Sequence, residues 1–306
     1  MGDDFRLIFS FGGELAALSA AFLWALASVL YGRIGQFLSP LKMNLLKNII
    51  AMAMMSFGAL AADGGLFLEL DLYAATLLLL SGAIGIGLGD SAYFGALKHI
   101  GARRALLIMV LSPPITGILA LIFLAEKLSY GAWLGVLIAI MGVSWVITER
   151  VGVSGQVAGH RYLGITLALL AAAGQAAGAV LSHAAFMHVN MSPMRSALIR
   201  LVGGTMVVLL VMLAFKDSEG QGYQNLNSIR RWAMIMLTVF LGTFLGIWLQ
   251  QVSLKYSAAG VAQTLFATSP LFVIPIVALM GERISLRALM GALLATVGVG
   301  FLFALQ

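Results

Sequence analysis

The chain has 306 residues, 61% of them apolar and only 10% charged, with a net charge of +6 and no cysteine. A water-facing domain carries about 25% charged residues, so the polar surface here is too small for a soluble enzyme. The missing cysteine excludes disulfides, thiolate nucleophiles and cysteine metal sites.

The apolar residues fall in runs close to the roughly 20 residues that span a bilayer. The sequence therefore reads as an all-α integral membrane protein with no soluble catalytic domain. Ten spans are expected, near 13–32, 42–61, 73–97, 103–125, 130–148, 162–187, 194–215, 231–253, 258–280 and 285–304. The start, MGDDFRLIFSFGGE, is acidic where a secretory n-region would be basic, so the first run is expected to stay as a spanning helix. The second span opens on Ser39-Pro40-Leu41-Lys42 and carries Lys47. The third has Gly82, Gly85 and Gly89 on one face, where small residues let helix backbones approach closely, followed by Asp90 and Tyr93. The fourth begins at Ser112-Pro113-Pro114 and ends at Glu126-Lys127-Leu128-Ser129; Gly135 and Gly142 follow in the fifth. A Gly- and Ser-rich link from Glu149 to Arg161 then separates two halves, about 1–150 and 160–306. The longest polar stretch, Lys216 to Arg231, is expected as a surface loop or a short interfacial helix.

The second half restates the first. Ser269-Pro270 leads to Glu282-Arg283-Ile284-Ser285 and then to Gly291 and Gly298. Ser192-Pro193-Met194-Arg195 with Arg200 answers the Ser39 stretch with Lys47, and Gly242 and Gly246 answer Gly85 and Gly89. The same alignment sets Trp24 opposite Gln175, Tyr93 opposite Gln250 and Asp90 opposite Ile247. Five spans per half is an odd number, so the second half enters the membrane from the opposite side. The expected architecture is two inverted five-helix repeats around a central cavity, as in many secondary transporters.

Of the twelve acids, Asp90 alone sits well inside a span, about 10 Å from the end of its helix at 1.5 Å per residue. An ionisable group at such depth points to function, or to a structural ion pair for which Lys47 is the candidate partner. Tyr93, Trp24, Gln175, Trp248, Gln250, Gln251, Gln263 and Thr264 are the other candidates for substrate binding or coupling in a mid-membrane pocket. Interhelical hydrogen bonding is the plainer role for each amide or hydroxyl taken alone. Arg200, the counterpart of Lys47, either binds a substrate carboxylate or snorkels to the interface. Glu126 and Glu282 read as turn and interface anchors, with the following Ser capping the next helix. Pro113, Pro114, Pro270 and Pro275 free backbone carbonyls that can border a pathway. His99, His160, His183 and His188 lack metal-ligand spacing. The bases sit at helix ends, a topology signal rather than a nucleic-acid footprint. Thirteen of the eighteen fall on the side reached after the first helix, which places that side in the cytoplasm and both termini outside.

Two five-helix halves, each with Pro, then Glu-[Lys/Arg]-[Leu/Ile]-Ser and a Gly-x6-Gly helix, resemble the EamA-type members of the drug/metabolite transporter superfamily. The resemblance covers essentially the whole chain. It implies a ten-helix bundle with a central cavity and export of amino acids, other small metabolites or amphipathic compounds. With no ATP-binding motif visible, the driving force would be a gradient or exchange. Two features depart from the family. Small multidrug members carry a coupling carboxylate in the middle of the first helix, where this chain has Ala21, Phe22 and Trp24, with Glu14 only at the helix start. Relatives are also commonly drawn with both termini cytoplasmic, against the Lys/Arg distribution. The expectation is thus a non-enzymatic exporter in the cell (inner) membrane, without a cofactor. Its partners would be a small solute, membrane lipid and a coupled proton or counter-substrate. A lipid or lipid-precursor flippase of the same fold is the alternative.

Overall fold

A computed structural model describes residues 12–63, 71–123, 129–147, 158–214, 228–256, 262, 265–281 and 285–304, and all regular structure among them is helical. Six stretches are long and apolar enough to cross a membrane: Gly12–Ile34, Pro40–Ala61, Leu72–Met109, Arg161–His188, Pro193–Ala214 and Ile229–Tyr256. Shorter apolar helices accompany them, among them Ser269–Leu279 and Leu286–Phe301. Leu15, Phe57, Leu88, Leu210 and Leu213 point outward with large exposed area. In water such a surface would aggregate; in a bilayer it is the face that meets hydrocarbon.

Helix α1 (Gly12–Ile34) has Glu14 in its first turn and Arg33 in its last, which matches the helix dipole. Its inner face is alanine-rich, with Ala17, Ala20, Ala21 and Ala25 fully buried, so neighbouring helices come close. Helix α2 (Pro40–Asp63) starts at proline, where a missing N–H costs nothing.

The next stretch is one long helix in three parts: α3 (Leu72–Gly82), a π-helical segment (Ala83–Gly89) and α4 (Asp90–Met109). Asp71 starts it by accepting a hydrogen bond from the Ala74 amide at 2.7 Å, an N-cap. Gly101 interrupts α4 at φ 77°, a left-handed conformation open mainly to glycine. The third and fourth expected spans part at this residue. A turn at Val110 and Leu111 then precedes α5 (Ser112–Phe123). Pro113 and Pro114 have no N–H to donate to the carbonyls four residues back, those of Met109 and Val110, so the expected fourth span is broken just before its Ser-Pro step. The ninth breaks the same way: Ala267 and Thr268 form a turn before α11 (Ser269–Leu279).

Helices α6 (Tyr130–Ile147), α7 (Ala158–His188), α8 (Pro193–Ala214) and α9 (Ile229–Val239) complete the middle of the chain. A second π segment (Phe240–Leu245) joins α9 to α10 (Gly246–Tyr256), and α12 (Leu286–Ala304) follows α11. Arg230 and Arg231 belong to α9; the polar stretch before residue 228 lies outside the described residues. So do Glu126 and Glu282, but Ser285 caps α12 as expected, accepting from the Ala288 amide at 3.0 Å.

Glycine sets the closest crossings. A Cβ at Gly82 would stand 1.8 Å from the Arg200 carbonyl oxygen, and one at Gly203 would stand 2.1 Å from that of Leu79. Helices α3 and α8 therefore touch backbone to backbone. At Gly142 the same test meets the Ala295 nitrogen at 2.6 Å and the Gly291 oxygen at 2.8 Å, where α6 crosses α12. In hydrocarbon there is no hydrophobic drive to bring helices together, so such crossings rely on close packing.

Candidate functional site

At the centre of the bundle lies a cavity of about 130 Å³, large enough to hold water. Helix α1 supplies Trp24, Ala27, Ser28 and Tyr31, spaced three, four and seven residues apart on one face. Lys47 enters from α2, and Ile86, Asp90, Tyr93 and Phe94 from the long helix through Gly89. Across from them stand Gln175 of α7, Arg200 of α8, Gly242 and Thr243 of the second π segment, and Ile247 and Gln250 of α10. Both Ser-Pro steps reach the wall through Ser112-Pro113 and Ser269-Pro270, beside Phe266.

The charged groups are few: Lys47 and Arg200 are buried, and Asp90 is partly exposed. Lys47 is 3% exposed and forms an ion pair with Asp90, which is 27% exposed. The Lys47 ammonium also lies 5.4 Å from the centre of the Phe94 ring, a cation–π contact. Arg200 is 1% exposed. Its Nη1 donates to Gln250 Oε1 at 3.1 Å, while its Nε–H has no partner among the described residues.

The rest of the wall is held by hydrogen bonds between helices. Tyr93 and Ser28 hydroxyls meet at 2.7 Å, and those of Tyr31 and Thr243 at 2.8 Å. A π segment breaks the i→i−4 ladder, so its carbonyls look for other donors. Trp24 Nε1 donates to the Gly242 carbonyl at 3.1 Å. In the first π segment Asn44 Nδ2 lies 2.8 Å from the Ile86 carbonyl and 3.2 Å from that of Gly87. The two π segments also contact the opposite half alike. Gly242 of the second accepts from Trp24 Nε1, and a Cβ at Gly85 of the first would meet Gln175 Oε1 at 3.4 Å; just past the second segment, a Cβ at Gly246 would meet Trp24 Nε1 at 2.6 Å.

Of the residues expected in a pocket, Trp24, Lys47, Asp90, Tyr93, Gln175, Arg200 and Gln250 line this cavity. Trp248 instead packs on the large apolar cluster. Gln251 is fully buried behind the wall, where its Oε1 accepts from Ser196 Oγ at 3.0 Å. Gln263 and Thr264 lie outside the described residues. Glu14 stays in the first turn of α1, away from the cavity lining. Sequence reasoning missed Ser28, Tyr31 and Thr243. The signal for the first two was present, since they follow Trp24 at i+4 and i+7 on a helix.

Long apolar helices around a cavity lined by Lys47, Asp90 and Arg200 define a polytopic membrane protein. The sequence model of the EamA-like transporter family matches residues 11–148 and again 162–304. The chain belongs to that family of membrane transporters, within the drug/metabolite transporter superfamily. One solved crystal structure, described only as that of a protein, matches 96% of this chain over 96% of its own, with a TM-score of 0.68 and 17% identity. At that identity the likeness speaks for the fold alone. No curated protein matches the chain.

Proposed function

We propose that this protein is a secondary transporter that exports a small organic metabolite, an amino acid or an amphipathic compound, by alternating access. Its halves, 1–150 and 160–306, would be inverted five-helix repeats in a ten-helix bundle of the cell (inner) membrane. The observation that carries this reading is the pair of π segments. Ala83–Gly89 and Phe240–Leu245 begin at repeat-matched residues and both border the cavity. Each is contacted by the first helix of the other half, through Gln175 and Trp24 respectively. The packing pairs also recur in matched form: α1 against α10 and α11, α7 against α4 and α5. Two like halves around one site offer two openings of opposite direction with one set of wall residues. A ligand that favours one state shifts the population between them.

The wall can hold a polar solute through Arg200, Gln250, Gln175 and the free edge of Asp90, and can cover an apolar part with Trp24 and Phe266. A gradient or a counter-substrate would supply the driving force. The test is substrate-dependent thermal stabilisation of the purified chain across a metabolite panel, followed by counterflow of each hit in proteoliposomes. A stabilising solute that exchanges across the bilayer is the expected result. Stabilisation by lipid precursors alone would favour a flippase instead.

A further inference from the structure

The fixed charge of the cavity narrows the solute. Lys47 and Asp90 neutralise each other. Arg200 hydrogen-bonds to the neutral Gln250 amide, shares with Lys47 the field of the single Asp90 carboxylate, and has an Nε–H without a partner among the described residues. The wall therefore carries one net positive charge at a site that is nine-tenths or more buried on Arg200. A buried cation is costly until an anion meets it, and a guanidinium fits a carboxylate better than any other common anion-binding side chain does. Among aliphatic neighbours such as Leu106, Met109 and Ile247, the wall also carries the aromatic side chains of Trp24, Tyr93, Phe94 and Phe266, with the Trp24 and Phe266 rings 5.4 Å apart.

We propose that the cavity selects a monocarboxylate with an aromatic body, a solute of one net negative charge, with its carboxylate on Arg200 and its ring against the aromatic wall. This rests on the transporter reading and narrows it, favouring its anionic amphipathic compounds over its amino acids. A zwitterion would bring its own cation and leave the extra positive charge of the wall uncompensated. A cationic amine would add to it. The ammonium of an amino acid would also have to compete with Lys47 for Asp90.

The experiment uses three probes with one ring and different charge: phenylacetate, phenylalanine and phenethylamine. Binding to the purified full chain is read by thermal stabilisation, and uptake by counterflow in proteoliposomes. Phenylacetate should bind at least tenfold more tightly than phenylalanine, and phenethylamine most weakly. Arg200→Gln should erase that tenfold preference, and Arg200→Lys should keep part of it. If phenylalanine or phenethylamine binds as well as phenylacetate, the charge selection is wrong while transport still stands. If phenylacetate binds in the predicted order but does not cross, the site assignment stands and the transporter reading falls. Failure of all three probes to bind overturns the proposal, whatever the variants do.

Discussion

Gly82 of α3 lies against Arg200 of α8 so closely that a methyl group on Gly82 would be 1.8 Å from the Arg200 carbonyl oxygen. The buried cation of the cavity is thus held from behind by a backbone contact. Gly82→Ala must push α8 away or fail to close. Overpacking of this kind costs about 1–3 kcal/mol. The expected outcome is a lower melting temperature in detergent, with a similar fall for Gly203→Ala, whose Cβ would meet the Leu79 carbonyl at 2.1 Å. Gly12→Ala, where a Cβ meets nothing within 4 Å, should leave the melting temperature unchanged.

The Lys47–Asp90 pair predicts a double-mutant pattern. Removing one partner of a buried pair leaves an uncompensated charge, at a cost of about 3–5 kcal/mol in soluble proteins. Asp90 keeps some exposure to the cavity, so the loss for Asp90→Asn should fall at the lower end. Asp90→Asn together with Lys47→Met should recover much of it. Melting temperatures of the two single variants and the double variant check this. Additive losses would mean that the two groups do not depend on each other.

Trp24 serves the second π segment through one hydrogen bond to the Gly242 carbonyl. Trp24→Phe keeps an aromatic ring beside Phe266 and removes the donor. A buried carbonyl left without its donor costs about 1–3 kcal/mol. Hydrogen exchange should therefore speed up at residues 240–246 and not at 83–89. Equal change in both segments would show that Trp24 acts through general packing.

Topology follows from the uneven placement of Lys and Arg. With thirteen of eighteen bases on the side reached after the first helix, Gln306 is predicted to lie outside the cytoplasm. A green fluorescent protein fused after Gln306 should then stay dark, because it matures only in the cytoplasm. A fluorescent fusion would reverse the orientation.

Helix positions were largely legible, because an apolar run of spanning length leaves little choice. The polar wall was legible where a polar residue interrupts such a run: Asp90, Gln175, Arg200 and Gln250 all reached the cavity. The Lys47–Asp90 pair was also visible as a candidate, since both lie at similar depth in their spans. Trp248 and Gln251 show the limit of that logic. They flank Gln250 in sequence, but a helix turns about 100° per residue. The one packs on the apolar cluster and the other faces Ser196. Depth alone does not tell which way a side chain points. The π segments were not legible either, because Gly85 and Gly242 read equally well as α-helical packing sites. What they mark, the freed carbonyls that Asn44 and Trp24 serve, depends on partners far away in sequence.

Alternating access through the central cavity is tested most directly by thiol labelling. The chain has no cysteine, so Ser28→Cys would carry its single thiol. Ser28 lines the cavity and a thiol is close to a hydroxyl in size. A membrane-impermeant thiol reagent is applied to right-side-out and to inverted vesicles. The prediction is labelling of Ser28→Cys from both sides, and none of Leu15→Cys on the outer apolar face. Labelling of Ser28→Cys from one side only, or from neither, would contradict a site that opens in turn to each side of the membrane.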